Sequence, residues 1–178
     1  MIGETIHNYV ITSKIGEGGM GTVYLADDLM LDRQVAIKVL HPRLVQDEML
    51  MERFKNEAKT LARLNHPNIT TLYSLVQHGT SLCMVLEYVD GTTLEGLLSK
   101  HGALPPELAA NLASQVLDGL HYAHNKDIIH RDIKPANLMV THDGKVKIMD
   151  FGIARVMGSS RSTRVGTAIG TLEYMSPE

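Results

Sequence analysis

The stretch His130-Arg131-Asp132-Ile133-Lys134-Pro135-Ala136-Asn137 and the later Asp150-Phe151-Gly152 hold the side chains best suited to chemistry. The first supplies a carboxylate that can serve as a base, a lysine that can meet a phosphate and an amide that can ligate a metal. The second adds a metal-binding carboxylate. Read together, these residue types suit a site for metal-bound phosphate, where catalysis is mostly positioning and charge neutralisation. Any one Asp or Asn could instead cap a loop, but the whole string is poorly explained that way.

Two further groups belong to the same chemistry. Gly16, Gly18 and Gly21 fit G-x-G-x-x-G-x-V with Val23 in last place. Glycines let a hairpin backbone approach phosphates and turn its amides toward them. Such a cluster also marks ordinary turns. A dinucleotide-binding fold would place a helix after it, whereas Thr22-Val23-Tyr24-Leu25 reads as a strand. Lys38 closes Val35-Ala36-Ile37-Lys38. It is either an edge-strand lysine in solvent or a cation for the α- and β-phosphates. Of the carboxylates on the next helix, Glu57 lies nearer the apolar face than Glu48 or Glu52 and is preferred as its partner.

The elements that must position these groups change character along the chain. The first half reads as strands: Tyr9-Val10-Ile11, Thr22 to Ala26, Gln34 to Leu40, Ile69 to Gln77 and Ser81 to Tyr88. A helix from Asp47 to Leu64 interrupts them, with Phe54, Ala58, Leu61 and Ala62 on one face. Asn65-His66-Pro67-Asn68 stops it. After Asp90-Gly91 the reading turns helical: a short helix from Thr93 to Lys100, then a longer one from Pro105 to about Asn125. Leu108, Leu112, Val116 and Leu120 are spaced on the longer helix for a buried face. Short strands at Leu138 to Val140 and Lys145 to Ile148 flank a turn. Met157 to Val165 is rich in Ser, Arg and Gly and reads as a loop. Two lobes with a cleft between them follow from this pattern.

In these motifs the chain resembles the eukaryotic-like (Hanks-type) serine/threonine protein kinases, in a bacterial style. The resemblance implies an α+β bilobal fold: an N-lobe sheet with one helix at 9–88, a hinge at 89–91 and the first part of a mainly helical C-lobe at 92–178. It implies ATP and Mg²⁺, or Mn²⁺, as nucleotide and metal, and transfer of the γ-phosphoryl group to Ser or Thr of proteins, itself included. Asp132 would be the base and Lys134 would meet the transferring group; a lysine there is the serine/threonine form. Asn137 and Asp150 would hold the metal, and Lys38, oriented by Glu57, the nucleotide phosphates. Val23, Ala36 and Met139 would sandwich the adenine, while backbone groups of Glu87 and Val89 bond its edge. Phe151 would pack near Leu61, Leu72 and His130. Residues from Asp150 on resemble an activation segment, with Thr163 and Thr167 as phosphorylation candidates and Thr171 bonding the catalytic Asp and Lys.

Composition is compatible with this and disfavours other classes. The chain has 178 residues, 44% apolar and 21% charged, with a net charge of -3. A nucleic-acid binder would need a basic face. The single Cys83 forbids an intramolecular disulfide and fits a reducing cytoplasm. No apolar run reaches membrane-span length, and Met1 to Lys14 carries no signal-peptide core. The resemblance allows that a full-length protein is anchored through a later segment.

The sequence closes on Ser176-Pro177-Glu178, a variant of Ala-Pro-Glu after which the family continues with further helices. On that reading apolar surface on the helix from Leu108 to Ala123 is exposed. An inactive fragment or an ATP-binding scaffold is the alternative function.

Overall fold

The computed structural model describes residues 1–18, 21–42, 48–151 and Tyr174, with backbone only at Glu48, Leu50, Arg53 and Glu57. The chain divides into two units. The first comprises Met1–Arg63 with Thr71–Tyr88, the second Leu64–Thr70 with the chain from Val89 onward.

The first unit is a 6-stranded antiparallel sheet in the order β1-β2-β3-β4-β6-β5. Its strands are β1 (Thr5–Ile6), β2 (Tyr9–Gly18), β3 (Gly21–Asp28), β4 (Arg33–Leu40), β5 (Leu72–His78) and β6 (Ser81–Glu87). Strand alternation assigns every side chain to one of two faces. On one face Ile6, Ile11, Ala26, Val35, Ile37, Cys83 and Val85 form a closed apolar cluster. The ladder pairs Val23 with Lys38, Lys38 with Met84 and Ala36 with Leu86, so these residues lie on the other face. Val35, Ile37 and Val85 are fully buried, each stabilising the sheet by roughly 1.5–3 kcal/mol.

The β3–β4 turn is fastened by Asp28, a carboxylate 1% exposed. It accepts from Asn8 Nδ2 at 2.5 Å, Met30 N at 3.2 Å and Arg33 Nε at 3.3 Å. Burial pushes this carboxyl upward, but the Met30 and Leu31 amides, Arg33 and Asn8 outweigh burial and hold it below its ordinary value. The Arg33 guanidinium also stacks 3.9 Å from the Tyr73 ring centroid.

Helix α1 spans Glu48–Leu61, inside the expected Asp47–Leu64. Phe54, Ala58 and Leu61 are buried as their spacing predicts. Ala62 is exposed, because the helix has ended before it.

The second unit carries a 3-stranded antiparallel sheet: β7 (Gly91–Thr93), β8 (Leu138–Thr141) and β9 (Val146–Ile148). Helix α2 (Leu94–His101) is capped by Thr93, whose Oγ1 accepts from Gly96 N at 3.1 Å. Helix α3 (Pro106–His124) starts with proline in its first turn, where the missing N–H is harmless.

Two expectations are corrected here. Ile69 does not belong to the strand that leads to Gln77, which begins at Leu72. Instead Ile69 bridges Ile148 in parallel: Ile148 N donates to Asn68 O at 2.8 Å and Thr70 N donates to Ile148 O at 3.0 Å. These bonds draw the backbone of 68–70 to β9. Of the expected stripe on α3 Leu112 is buried, and the other buried positions are Gly119 and Ala123, which the spacing did not predict. Leu108 is 43% exposed, and Val116 and Leu120 border an apolar hollow of about 490 Å³ together with Leu94, Leu98 and Val140. The face through Gly119 is buried because segment 64–70 lies on it. A Cβ at Gly119 would meet Asn68 at 3.4 Å and Ile148 Cδ1 at 2.9 Å.

Candidate active site

In the first unit the candidate residues other than Glu57 sit on strands, so the ladder positions them. Of the three motif glycines, only Gly21 is required by the fold. A Cβ there would stand 2.0 Å from Val39 O, across the β3–β4 pair. At Gly16 the nearest atom to such a Cβ is Val23 Cβ at 3.8 Å, and at Gly18 nothing lies within 4 Å. Backbone packing therefore has room for a methyl group at both positions. What the missing side chains preserve is open space along the hairpin.

Lys38 is 7% exposed on β4, flanked by Val23 and Met84 on neighbouring strands. Ala36 is buried two positions earlier on the same face. The backbone at Glu57 belongs to α1, while its side chain lies outside the described part of the chain. At the end of β6, Glu87 N donates to Thr71 O at 2.9 Å, and Glu87 Oε2 accepts from Thr71 N at 3.1 Å. These two bonds fix the strand end just before Val89, a buried residue that opens the second unit.

In the second unit the candidates lie on irregular backbone and are held by side chains. Pro135–Asn137 forms one 3₁₀ turn leading into β8. It folds Asn137 back so that Nδ2 donates to Asp132 O at 2.8 Å and to Asp132 Oδ2 at 2.9 Å. Lys134 Nζ stands 3.0 Å from the same Oδ2. One carboxylate oxygen thus sits between an amide and an ammonium, both partners being about one-fifth exposed in the ion pair (22% each). Because Asn137 spends its amide hydrogens on Asp132, its Oδ1 is the atom it can offer a cation. An amide oxygen and the Asp150 carboxylate are hard donors of the kind Mg²⁺ takes, so the donor set fits that ion. Met139, on β8, is half-buried and paired with Thr93 and Lys147.

His130 ties this loop to the segment that carries Asp150. It is 1% exposed. Its Nε2 lies 2.8 Å from Met149 O, and Asp132 N donates to its Nδ1 at 3.2 Å. Only the neutral ring with its proton on Nε2 satisfies both bonds. Burial lowers its pKa from the ordinary value, against the raising effects of the Met149 carbonyl and of Asp132 and Asp150. The Phe151 ring packs edge-on against it, centroids 4.5 Å apart. Met149 N in turn donates to Asn137 O at 2.9 Å. Arg131 (φ 71°) and Asp150 (φ 54°) both adopt the left-handed backbone, which costs about 1–2 kcal/mol for a residue with a Cβ. The strain falls next to the residues that His130 bonds, where neighbouring contacts over-determine the backbone.

Thr163, Thr167, Thr171 and Glu178 lie outside the described residues, as does Gly152. The role of His130 as a hydrogen-bonding hub does not emerge from the motif alone. The local signal is Ile128 two positions earlier, which is buried as His130 is, while the intervening Ile129 is 57% exposed.

A strand-borne glycine motif with a buried lysine, and a loop that gathers Asp132, Lys134 and Asn137, define the protein-kinase class. The protein kinase domain model matches residues 9–178, and the chain belongs to that family. It is 41% identical over 179 residues to the serine/threonine-protein kinase PrkC of Bacillus subtilis, covering 100% of this chain and 28% of that protein. To the serine/threonine-protein kinase PknB of Mycobacterium leprae it is 42% identical over 175 residues, covering 96% of this chain and again 28% of the relative. The crystal structure of the Mycobacterium tuberculosis PknI kinase domain matches 86% of this chain and 63% of that one, with a TM-score of 0.73 at 32% identity. The chain therefore spans little more than a quarter of these two curated relatives.

Proposed function

We propose that this protein is an ATP-dependent serine/threonine kinase that transfers the γ-phosphoryl group to Ser and Thr hydroxyls of proteins, its own among them. The observation that carries this reading is Asp132 Oδ2 held by both Lys134 Nζ at 3.0 Å and Asn137 Nδ2 at 2.9 Å. A carboxylate fixed in this way can orient a substrate hydroxyl and accept its proton, while the lysine beside it meets the phosphoryl oxygens. Bound Mg²⁺, or Mn²⁺, would neutralise phosphate charge, with Asn137 and Asp150 as its protein ligands. Lys38, with Glu57 as counter-charge, would hold the α- and β-phosphates beneath Gly16, Gly18 and Gly21. Val23, Ala36 and Met139 supply apolar surface for adenine, and Glu87 and Val89 backbone groups for its edge.

Regulation would act on Thr163 and Thr167 by phosphorylation, with Arg131 as the cation they pair with, and Thr171 would shape the substrate site. The physiological partners are proteins, including a second copy during autophosphorylation. No helix among the described residues is long and apolar enough to cross a membrane. The kinase portion would act in the cytoplasm, whether or not the whole protein is anchored.

The test is intact mass after incubation with Mg·ATP and a basic protein substrate, wild type beside Asp132→Asn. Phosphate gained by the wild type, and lost by about a hundredfold or more in rate in the variant, is the expected result. Near-wild-type turnover in Asp132→Asn would remove the base assignment. No transfer by either would leave a nucleotide-binding scaffold.

A further inference from the structure

We propose that Asn68 and Gln115 are positioning residues whose side-chain amides set strand β9, and through it the carboxylate of Asp150, for a divalent cation. The inference rests on the reading of Asp150 as a metal ligand. Strand β9 pairs with β8 on one side, and on the other the backbone of 68–70 bridges it at Ile148 but leaves Val146 without a strand partner there among the described residues. At Val146 that side is met by two side-chain amides. Gln115 Oε1 accepts from Val146 N at 2.8 Å, and Asn68 Nδ2 donates to Val146 O at 2.9 Å. The amides also bond each other, Asn68 Nδ2 to Gln115 Oε1 at 3.1 Å. Gln115 Nε2 donates to Asn111 Oδ1 at 2.8 Å and to Gly144 O at 3.0 Å, so the turn before β9 is held as well.

Helix α3 is shaped for this contact. Gln115, Gly119 and Tyr122 recur at helical spacing on one face. Gly119 provides the slot for Asn68 and Ile148, and Tyr122 Oη accepts from Asn65 N at 3.2 Å with its ring 5.0 Å from that of His66. A rigid helix thus fixes where β9 lies along its own axis. That coordinate matters because Asp150 follows the end of β9 by two residues, so a shift of the strand along its axis carries Asp150 with it. Past Ile148 the chain has only Met149 before Asp150, and both polar backbone atoms of Met149 are bonded, to Asn137 O and His130 Nε2. The placement of Asp150 is therefore transmitted from Val146 through three bonded residues. Groups that orient metal ligands without touching the metal commonly change its affinity by about 10–100-fold when removed.

The experiment uses the full natural chain, with ADP and Mg²⁺ as probes. Gln115→Met removes the polar bonds at similar volume. It should raise the Mg²⁺ concentration that half-maximally tightens ADP by about tenfold, leave ADP affinity in EDTA unchanged, and speed amide exchange at Val146, Ile148 and Met149. Gln115→Glu retains the acceptor for Val146 and Asn68 but loses the donations to Asn111 and Gly144, so it should recover only part of the Mg²⁺ midpoint shift. Should Gln115→Met fail to fold, Asn68→Ala carries the same comparison. A folded variant with the wild-type Mg²⁺ midpoint overturns the inference, as does a Gln115→Glu protein as impaired as Gln115→Met. Asp150→Ala separates the two levels. If it abolishes the Mg²⁺ effect while the amide variants do not move it, positioning fails and the ligand assignment stands. If it leaves the Mg²⁺ effect intact, both fall.

Discussion

The two units place their candidate residues by different physics. In the first, Val23, Ala36 and Lys38 take their face from a ladder whose pairs run without a break from Gly21–Leu40 to Asp28–Arg33. Backbone bonds hold that register, and the apolar cluster on the opposite face selects it. In the second, Asp132, Asn137 and Asp150 lie on backbone with no repeating pattern, held by His130, Asn137 and Lys134 side chains. In the strand-borne half the side chains do not hold the backbone register, which the ladder bonds supply. The loop-borne half depends on single hydrogen-bonding atoms, and a change of one atom can displace the next residue.

The largest effect should be common to both halves. On the proposed roles Lys38→Ala would remove the cation for the phosphates and Asp150→Ala the carboxylate for the metal, and each should reduce phosphotransfer by about a thousandfold or more in a steady-state assay. If one of them retained substantial activity, the unit carrying it would not serve this chemistry.

The next effect separates folding from function within one motif. Gly21→Ala forces a Cβ to within 2.0 Å of a backbone oxygen and should destabilise the protein by about 3 kcal/mol or more, seen as a lower urea midpoint. Gly18→Ala meets no atom within 4 Å and should leave that midpoint alone while raising the KM for ATP. Equal losses of stability in the two variants would mean that both glycines serve the backbone and neither marks a nucleotide site.

This division also explains what was legible in the sequence. Strand alternation and helix spacing are local, so β4, β6 and the buried face of α1 follow from runs such as Val35 to Leu40 and from Phe54, Ala58 and Leu61. The grouping of Asp132, Lys134 and Asn137 was legible for the same reason, since all three fall within one short loop. Contacts between distant residues were not. Nothing local in Asn68 announces that its amide meets Val146 and Gln115, 78 and 47 positions away. Beside that contact, backbone bonds hold Ile69 at β9 instead of in the expected strand, and on α3 Gly119 and Ala123 are buried as well as the expected Leu112. Polar side chains read as helix stoppers or surface residues when no partner is in view, and here they carry long-range structure.

The smallest effect tests the loop-borne half through acidity. Folded His130 must stay neutral, because protonating Nδ1 would set a second hydrogen against Asp132 N–H. Its folded pKa lies below the ordinary histidine value, so the unfolded chain takes up the proton first as pH falls. The stabilisation from neutral His130 is thus fully present above about pH 6.5 and is lost progressively as pH falls from there through the depressed folded value. His130→Gln removes the titration while keeping an amide that can donate to Met149 O. Its thermal midpoint should start lower than wild type at about pH 8 and then fall less steeply toward about pH 5, a window that brackets the histidine range. Differencing the two profiles cancels the other histidines, which are the same in both chains. Parallel profiles would mean that His130 titrates as it does in water, and that its two bonds do not hold the loop. A converging pair would tie the geometry around Asp132 to a single neutral imidazole. The strand-borne Val23, fixed by backbone bonds that do not titrate, should show no such dependence when it is replaced instead.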